Sequence, residues 1–417
     1  MRRTTVLLTT IALTLLVASG VVLAAGISSA GAQSAVVGPG ESIQKAVNAA
    51  DPGDTIVVRG VHREDVVIRK NGIKLRGDDS VIQAPTRAKA DSPCSKAFGV
   101  PGAFCVLGDV NLQTGKFTGQ RQRVSDVSVS GFTIRGFKIA GEGASAFVID
   151  VGGARNTTVV GNRITGNVAS GIFFGGSVNT TIANNHVIGG PEADQGIIAE
   201  SSSLTKIVNN IVKNYVSGIA VVDSPGTKIL SNVARRNEIV GIFLGTQQAN
   251  AKVVGNDLSG SEFGIFVSNS QGGSFAANEV HNNCAGVWFT SDFEPGPPSG
   301  NFAVKGNTVK DNTRSCRGGE FDRNFSGIGI ALSGASGMEV TGNHLSGNVP
   351  SGPTVVSGGI VVGVDPLFGG TTKPTNNSVI GNHFGRNKPD IFWDKSGSGN
   401  SFVGNLCDTS VPSSLCN

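Results

Sequence analysis

Asp150, Glu200 and Asp223 each close a short apolar alternating run, and together they could divide an acid from a base. If Phe147 and Ile149 point inward, Asp150 shares an outward column with Gly175 and then Glu200. Two strand spacings, about 9.6 Å, would then separate the two backbones, close to the upper end of the range over which inverting glycosidases hold their carboxylates. Asp223 stands one coil further and one residue later. The chemistry predicted is protonation of a glycosidic oxygen by one carboxylic acid while a second carboxylate activates water. Glu200, flanked by Ile198 and near Phe173, has the more apolar surroundings and is assigned the acid role, with Asp150 or Asp223 as base.

A binding surface is predicted beside this trio. The residues that follow each Gly-Ile or Gly-Val pair should face outward, and among them Phe173, Phe243, Phe266 and Trp288 would offer rings for sugars to stack on, with Asp292 and Asp365 as polar partners. The competing expectation is that this apolar face is covered by residues 84–123 or by another subunit. His186, His344 and His383 share a column, the last two on adjacent coils, but no Cys or carboxylate completes a shell, so neither a metal nor a cofactor is expected. Asp257 and Glu279 also stack, on a different sheet, as a tolerated like-charge pair.

The elements that must position these residues follow from a repeat. Phrases such as Thr181-Ile182-Ala183-Asn184-Asn185 and Lys206-Ile207-Val208-Asn209-Asn210 recur, ending on Asn162, Asn185, Asn210, Asn232, Asn256, Asn278, Asn307, Asn343, Asn382 and Asn405. A second phrase, Gly-Ile or Gly-Val, interleaves with the first at Gly171, Gly196, Gly218, Gly241, Gly264, Gly286, Gly329 and Gly359. Each unit holds only short alternating runs broken by Asn, Gly and Ser, which makes strands and leaves no room for helices. Units this small must stack to bury a core, and stacking predicts a ladder of Asn amides at one corner, with Asn taking the left-handed turn conformation. Insertions at 313–325 and 349–357 precede a Gly-Ile strand, and those at 291–300 and 366–376 follow one, so two loop walls should flank a floor.

Composition narrows the classes further. The chain has 417 residues with 34 basic and 30 acidic side chains, a balance that argues against a nucleic-acid partner. Residues 1–32, with Arg2 and Arg3 ahead of an apolar run and Ala30-Gly31-Ala32, read as a signal peptide; an uncleaved anchor is the rival reading, and no later segment could span a membrane. Export would place all six cysteines in an oxidising compartment, where they fall into local pairs: Cys94 with Cys105, Cys284 with Cys316, and Cys407 with Cys416.

From residue 36 to 405 the sequence resembles the right-handed parallel β-helix proteins of the pectate-lyase-like (pectin lyase fold) superfamily. The opening Ser42-Ile43-Gln44-Lys45-Ala46-Val47-Asn48-Ala49-Ala50 is similar to that family's N-terminal capping helix. The resemblance implies an all-β fold, a single-stranded right-handed parallel β-helix divided into a cap and first strand at 33–60, the solenoid at 61–405 and a tail at 406–417. It also implies a secreted or cell-envelope monomer that binds, and in the enzymatic members cleaves, polysaccharide on the Gly-Ile sheet. The residue motif of the superfamily's hydrolases is not reproduced, and neither a lyase-type basic residue nor a calcium-type carboxylate cluster stands on the floor. Non-catalytic glycan-binding or structural proteins and periplasmic copper-binding relatives are the alternatives; two Met and five His give little soft-ligand inventory for copper.

Overall fold

The computed structural model describes residues 33–416 apart from 86–101, 109–122, 138–146, 168–169, 192, 246–248, 294–295 and 319–322. The expected signal peptide and Cys94 lie outside these residues. Among the described residues the chain is an all-β parallel solenoid with one α-helix ahead of the repeats. That helix, Ile43–Ala49, starts where the Ser42 side chain accepts the Lys45 N–H at 3.2 Å. It buries Ile43 and Val47, and the Gln44 amide bonds both the N–H and the C=O of Val67 in the first floor strand. Among the described residues no helix is long and apolar enough to cross a membrane.

The coils build a 13-stranded parallel sheet, called the floor here, and a larger 23-stranded sheet, to which the early coils give one longer strand each and the coils from Thr158 to Gly385 two short ones. The floor strands stack in register through Ile172, Ile197, Ile219, Ile242, Ile265, Val287, Ile330 and Ile360, all buried in one continuous core. The glycine before each has a steric cause. A Cβ on Gly171 would meet the Gly196 carbonyl oxygen at 2.2 Å, and one on Gly264 the Gly286 oxygen at 2.6 Å, so neighbouring coils approach too closely there for any side chain.

The asparagine ladder forms as expected. Each amide donates to the next, from Asn162 to Asn185 at 3.1 Å through to Asn382 to Asn405 at 3.1 Å, and each also reaches a strand carbonyl. The expected backbone conformation is corrected: positive φ falls on the residue before the ladder Asn, for example Gly161, Asn184, Asn209 and Ser231. The turn strain and the amide bonding are thus assigned to separate residues. A second ladder, Asn283 to Asn312 to Asn348 to Asn387, lines another corner of the later coils. Cys284–Cys316 and Cys407–Cys416 are disulfides, and Cys105 is disulfide-bonded as well.

Candidate functional site

The loop walls rise over coils 238 to 293 and enclose a cleft of about 670 Å³. Its floor is Phe243, Phe263 and Phe266; one side is Asp292, Phe293 and Phe368, and the other is Glu238, Glu262 and the hairpin residues Arg317 and Gly318. The hairpin pairs Cys316–Gly318 with Arg323–Phe325 and is tied to the solenoid by the Cys284–Cys316 bond. Beneath it Phe325, Trp288, Ile328, Ala331 and Leu367 form a second apolar cluster, distinct from the core inside the coils. The aromatic surface is pre-arranged: Phe243 stacks on Phe266 at 5.9 Å, and Phe293 meets Phe266 edge-on at 5.3 Å.

Two glutamates stand at the rim. Glu238 and Glu262 occupy the same corner of consecutive coils, and the Glu262 N–H donates to the Glu238 carbonyl at 3.1 Å. Burial pushes the Glu262 carboxyl up to about 7, and the Glu238 charge adds to the rise; Arg314, which donates to the Ser261 carbonyl next door, opposes it. Asp292 accepts both the N–H and the hydroxyl of Thr372, fixing two loops of the same wall to each other.

The structure brings Phe243, Phe266 and Asp292 into this cleft and places the other expected site residues elsewhere. Asp150 lies opposite Phe173, not Gly175, so the expected column joining it to Glu200 does not form. A slip of two residues keeps every side chain on its own face, and alternation alone is blind to it. Phe147, expected inward, packs outward on Phe173 at 4.9 Å. Asp150 is fully buried beside Asp65, with no hydrogen bond to either carboxyl oxygen among the described residues, and burial holds its carboxyl well above the usual range. Glu200 is exposed, opposite Gly175 and Val222. Asp223 is exposed and takes a hydrogen bond from Ser201.

Phe173 is buried with Ile198 and Ala220 rather than open as a platform. Trp288 is fully buried and donates its indole N–H to Asp365 at 3.2 Å. Asp365 also accepts the N–H groups of Leu367 and Phe368, which makes it the anchor of a loop. His344 and His383 stack at 5.0 Å on adjacent coils as expected. Asp257 and Glu279 do stack, yet each holds a cation, Arg235 and Lys310 respectively.

Residues 190–411 match a family model described as "Periplasmic copper-binding protein (NosD)", and that span is more than half of the 417 residues. The chain belongs to the NosD family. Residues 115–258 also match a right-handed β-helix region model, overlapping the NosD span. None of the curated proteins matches the sequence. Among solved structures, this NosD-family chain is similar to the DFA-IIIase of Arthrobacter chlorophenolicus A6 in complex with DFA-III, at 14% identity over 90% of this chain and 96% of the other, with a TM-score of 0.52. It is also similar to the Dettilon tailspike protein (gp208), at 15% identity over 90% and 68%, with a TM-score of 0.53. These likenesses carry the fold.

Glu238, Glu262 and Phe263 were not legible as site residues. Alternation sends Phe263 inward, two before Ile265, yet it turns into the outer cluster at the corner. The two glutamates precede their Gly-Ile phrases by different spacings, three residues for Glu238 and two for Glu262, so no common column shows in the sequence.

Proposed function

We propose that the protein binds a glycan in the cleft over Phe243, Phe266 and Phe293 and hydrolyses a glycosidic bond there with Glu262 and Glu238. The observation carrying this reading is the carboxylate pair on neighbouring coils at the edge of an aromatic floor. A carboxylic acid titrating near 7 keeps its proton at neutral pH in about half of the molecules and can donate it to a leaving-group oxygen. Glu238, more exposed, is positioned to take a proton from the attacking water, whose oxygen bonds to the anomeric carbon as the glycosidic C–O bond breaks and the leaving oxygen takes the Glu262 proton. Sugar rings would lie on the phenylalanine faces, with Asp292 and Arg317 lining the same cleft. Disulfides at Cys284–Cys316 and Cys407–Cys416 support an oxidising, extracytoplasmic setting.

The family description names copper, and the described residues do not fit it. No group of three or more His, Cys, Asp or Glu side chains among them could hold a metal ion. His344 and His383 lie ring on ring with Thr308 and Leu406 at either end of their column. His281 meets Asp257, His186 meets Arg163, and His62 bonds two backbone carbonyls. Met338 is buried in the core.

The test is incubation with a panel of neutral and uronic polysaccharides, scoring reducing ends and unsaturated products together. Reducing ends that vanish in Glu262→Gln while binding persists are expected. Unsaturated products would replace hydrolysis by elimination, and retention without either product would leave binding alone.

A further inference from the structure

Away from the cleft, Lys206, Lys228 and Lys252 pair directly with one another on three successive coils. All three are exposed, and Thr181 and Ser274 continue the column at its ends. Backbones in such a column are about 4.8 Å apart, and like charges directly opposite one another destabilise a sheet. Among the described residues none of the three makes an ion pair, although Lys305 and Lys310 on later coils each take a glutamate. The repulsion is therefore left unrelieved over this stretch.

The surroundings say what would relieve it. Two residues along each strand, Val208, Leu230 and Val254 make a half-buried apolar column parallel to the lysines. Past the asparagine corner Lys213 stacks on Arg235, which Asp257 already holds. No aromatic ring stands in these columns, so the bases of a single-stranded nucleic acid would have nothing to stack on. A lipid surface is flat and spreads its charge in two dimensions, whereas these cations run in single file.

We propose that the Lys206, Lys228 and Lys252 file binds a linear acidic polysaccharide lying along the solenoid axis. Uronate carboxylates meet the ammonium groups one after another, and the C–H faces of the sugars rest on Val208, Leu230 and Val254. The site is on a different sheet from the cleft and does not depend on what the cleft does.

The experiment measures binding of the protein to immobilised polygalacturonate across a salt series, with dextran and single-stranded DNA as comparison ligands. Wild type is expected to bind polygalacturonate at low salt, to release as salt rises, and to ignore dextran. The triple variant Lys206→Gln, Lys228→Gln, Lys252→Gln should bind at least about tenfold more weakly, while Lys305→Gln with Lys310→Gln binds like wild type. A thermal midpoint in the triple variant equal to or above that of wild type confirms that folding is intact and that repulsion was removed. Wild-type binding that is absent, that survives in the triple variant, or that is matched by single-stranded DNA would overturn the proposal.

Discussion

Replacing Glu262 by Gln tests the electrostatics of the cleft without needing a ligand. In the folded protein the carboxyl is pushed up to about 7 from an ordinary value of 4.5, mainly by burial and then by Glu238. A raised carboxyl adds stability that is fully present below the unfolded value and is lost as pH rises through the folded one. Wild type should therefore lose stability between about pH 4.5 and pH 7 on account of this group, and Glu262→Gln, neutral throughout, should not. Two and a half decades at 1.36 kcal/mol each would give about 3.4 kcal/mol; the side chain is only half-buried, and solvent screening reduces this to about 1–2 kcal/mol. For a chain of this size that is a shift of about 1–2 °C in thermal midpoint. Melts of both proteins at pH 4, 5.5, 7 and 8.5 should coincide at the acid end, separate between about pH 4.5 and pH 7 and stay apart at pH 8.5, with the variant the more stable. A gap that stays constant with pH, or a variant less stable at pH 8.5, would refute the reasoning. Hydrolysis by wild type, where Glu262 is the acid, should fall as pH rises through about 7.

Three further outcomes are expected. Asn232→Ala removes two donated bonds, to the Ile207 carbonyl and the Asn256 amide oxygen, and two accepted from Asn210. Leaving those buried partners unpaired should cost about 3–5 kcal/mol in denaturant unfolding, and a loss under 1 kcal/mol would show the ladder to be dispensable. Cys284→Ser with Cys316→Ser opens a loop spanned by 32 residues and should cost up to about 3.7 kcal/mol while weakening glycan binding, measured by thermal unfolding and affinity electrophoresis. Phe266→Ala should weaken glycan binding by about tenfold, whereas Trp288→Ala, emptying a buried site, should cost about 3–5 kcal/mol of stability first.

What the sequence determined by itself was whatever repeats. The Asn and Gly-Ile phrases recur because stacked coils confront each residue with its own counterpart, so the turn, the amide ladder and the close glycine approach must be met afresh in every coil. The solenoid, its core column from Ile172 to Ile360, the corner ladder and the Cys284–Cys316 staple were all legible for that reason. The positions of the insertions likewise showed which sheet becomes a floor.

Tertiary structure decided what does not repeat. Alternation assigns a face but not a register, so Asp150 could be read beside Gly175 when it lies beside Phe173. It also gives direction without cover: Trp288 and Phe173 point away from the core as expected, but Trp288 is closed over by the hairpin and the loop that Asp365 anchors, and Phe173 is buried in a separate cluster. The pairing of Glu238 with Glu262 arises because unequal corners bring residues of different spacing to the same rim, and its pKa consequence comes from burial, which no linear spacing encodes.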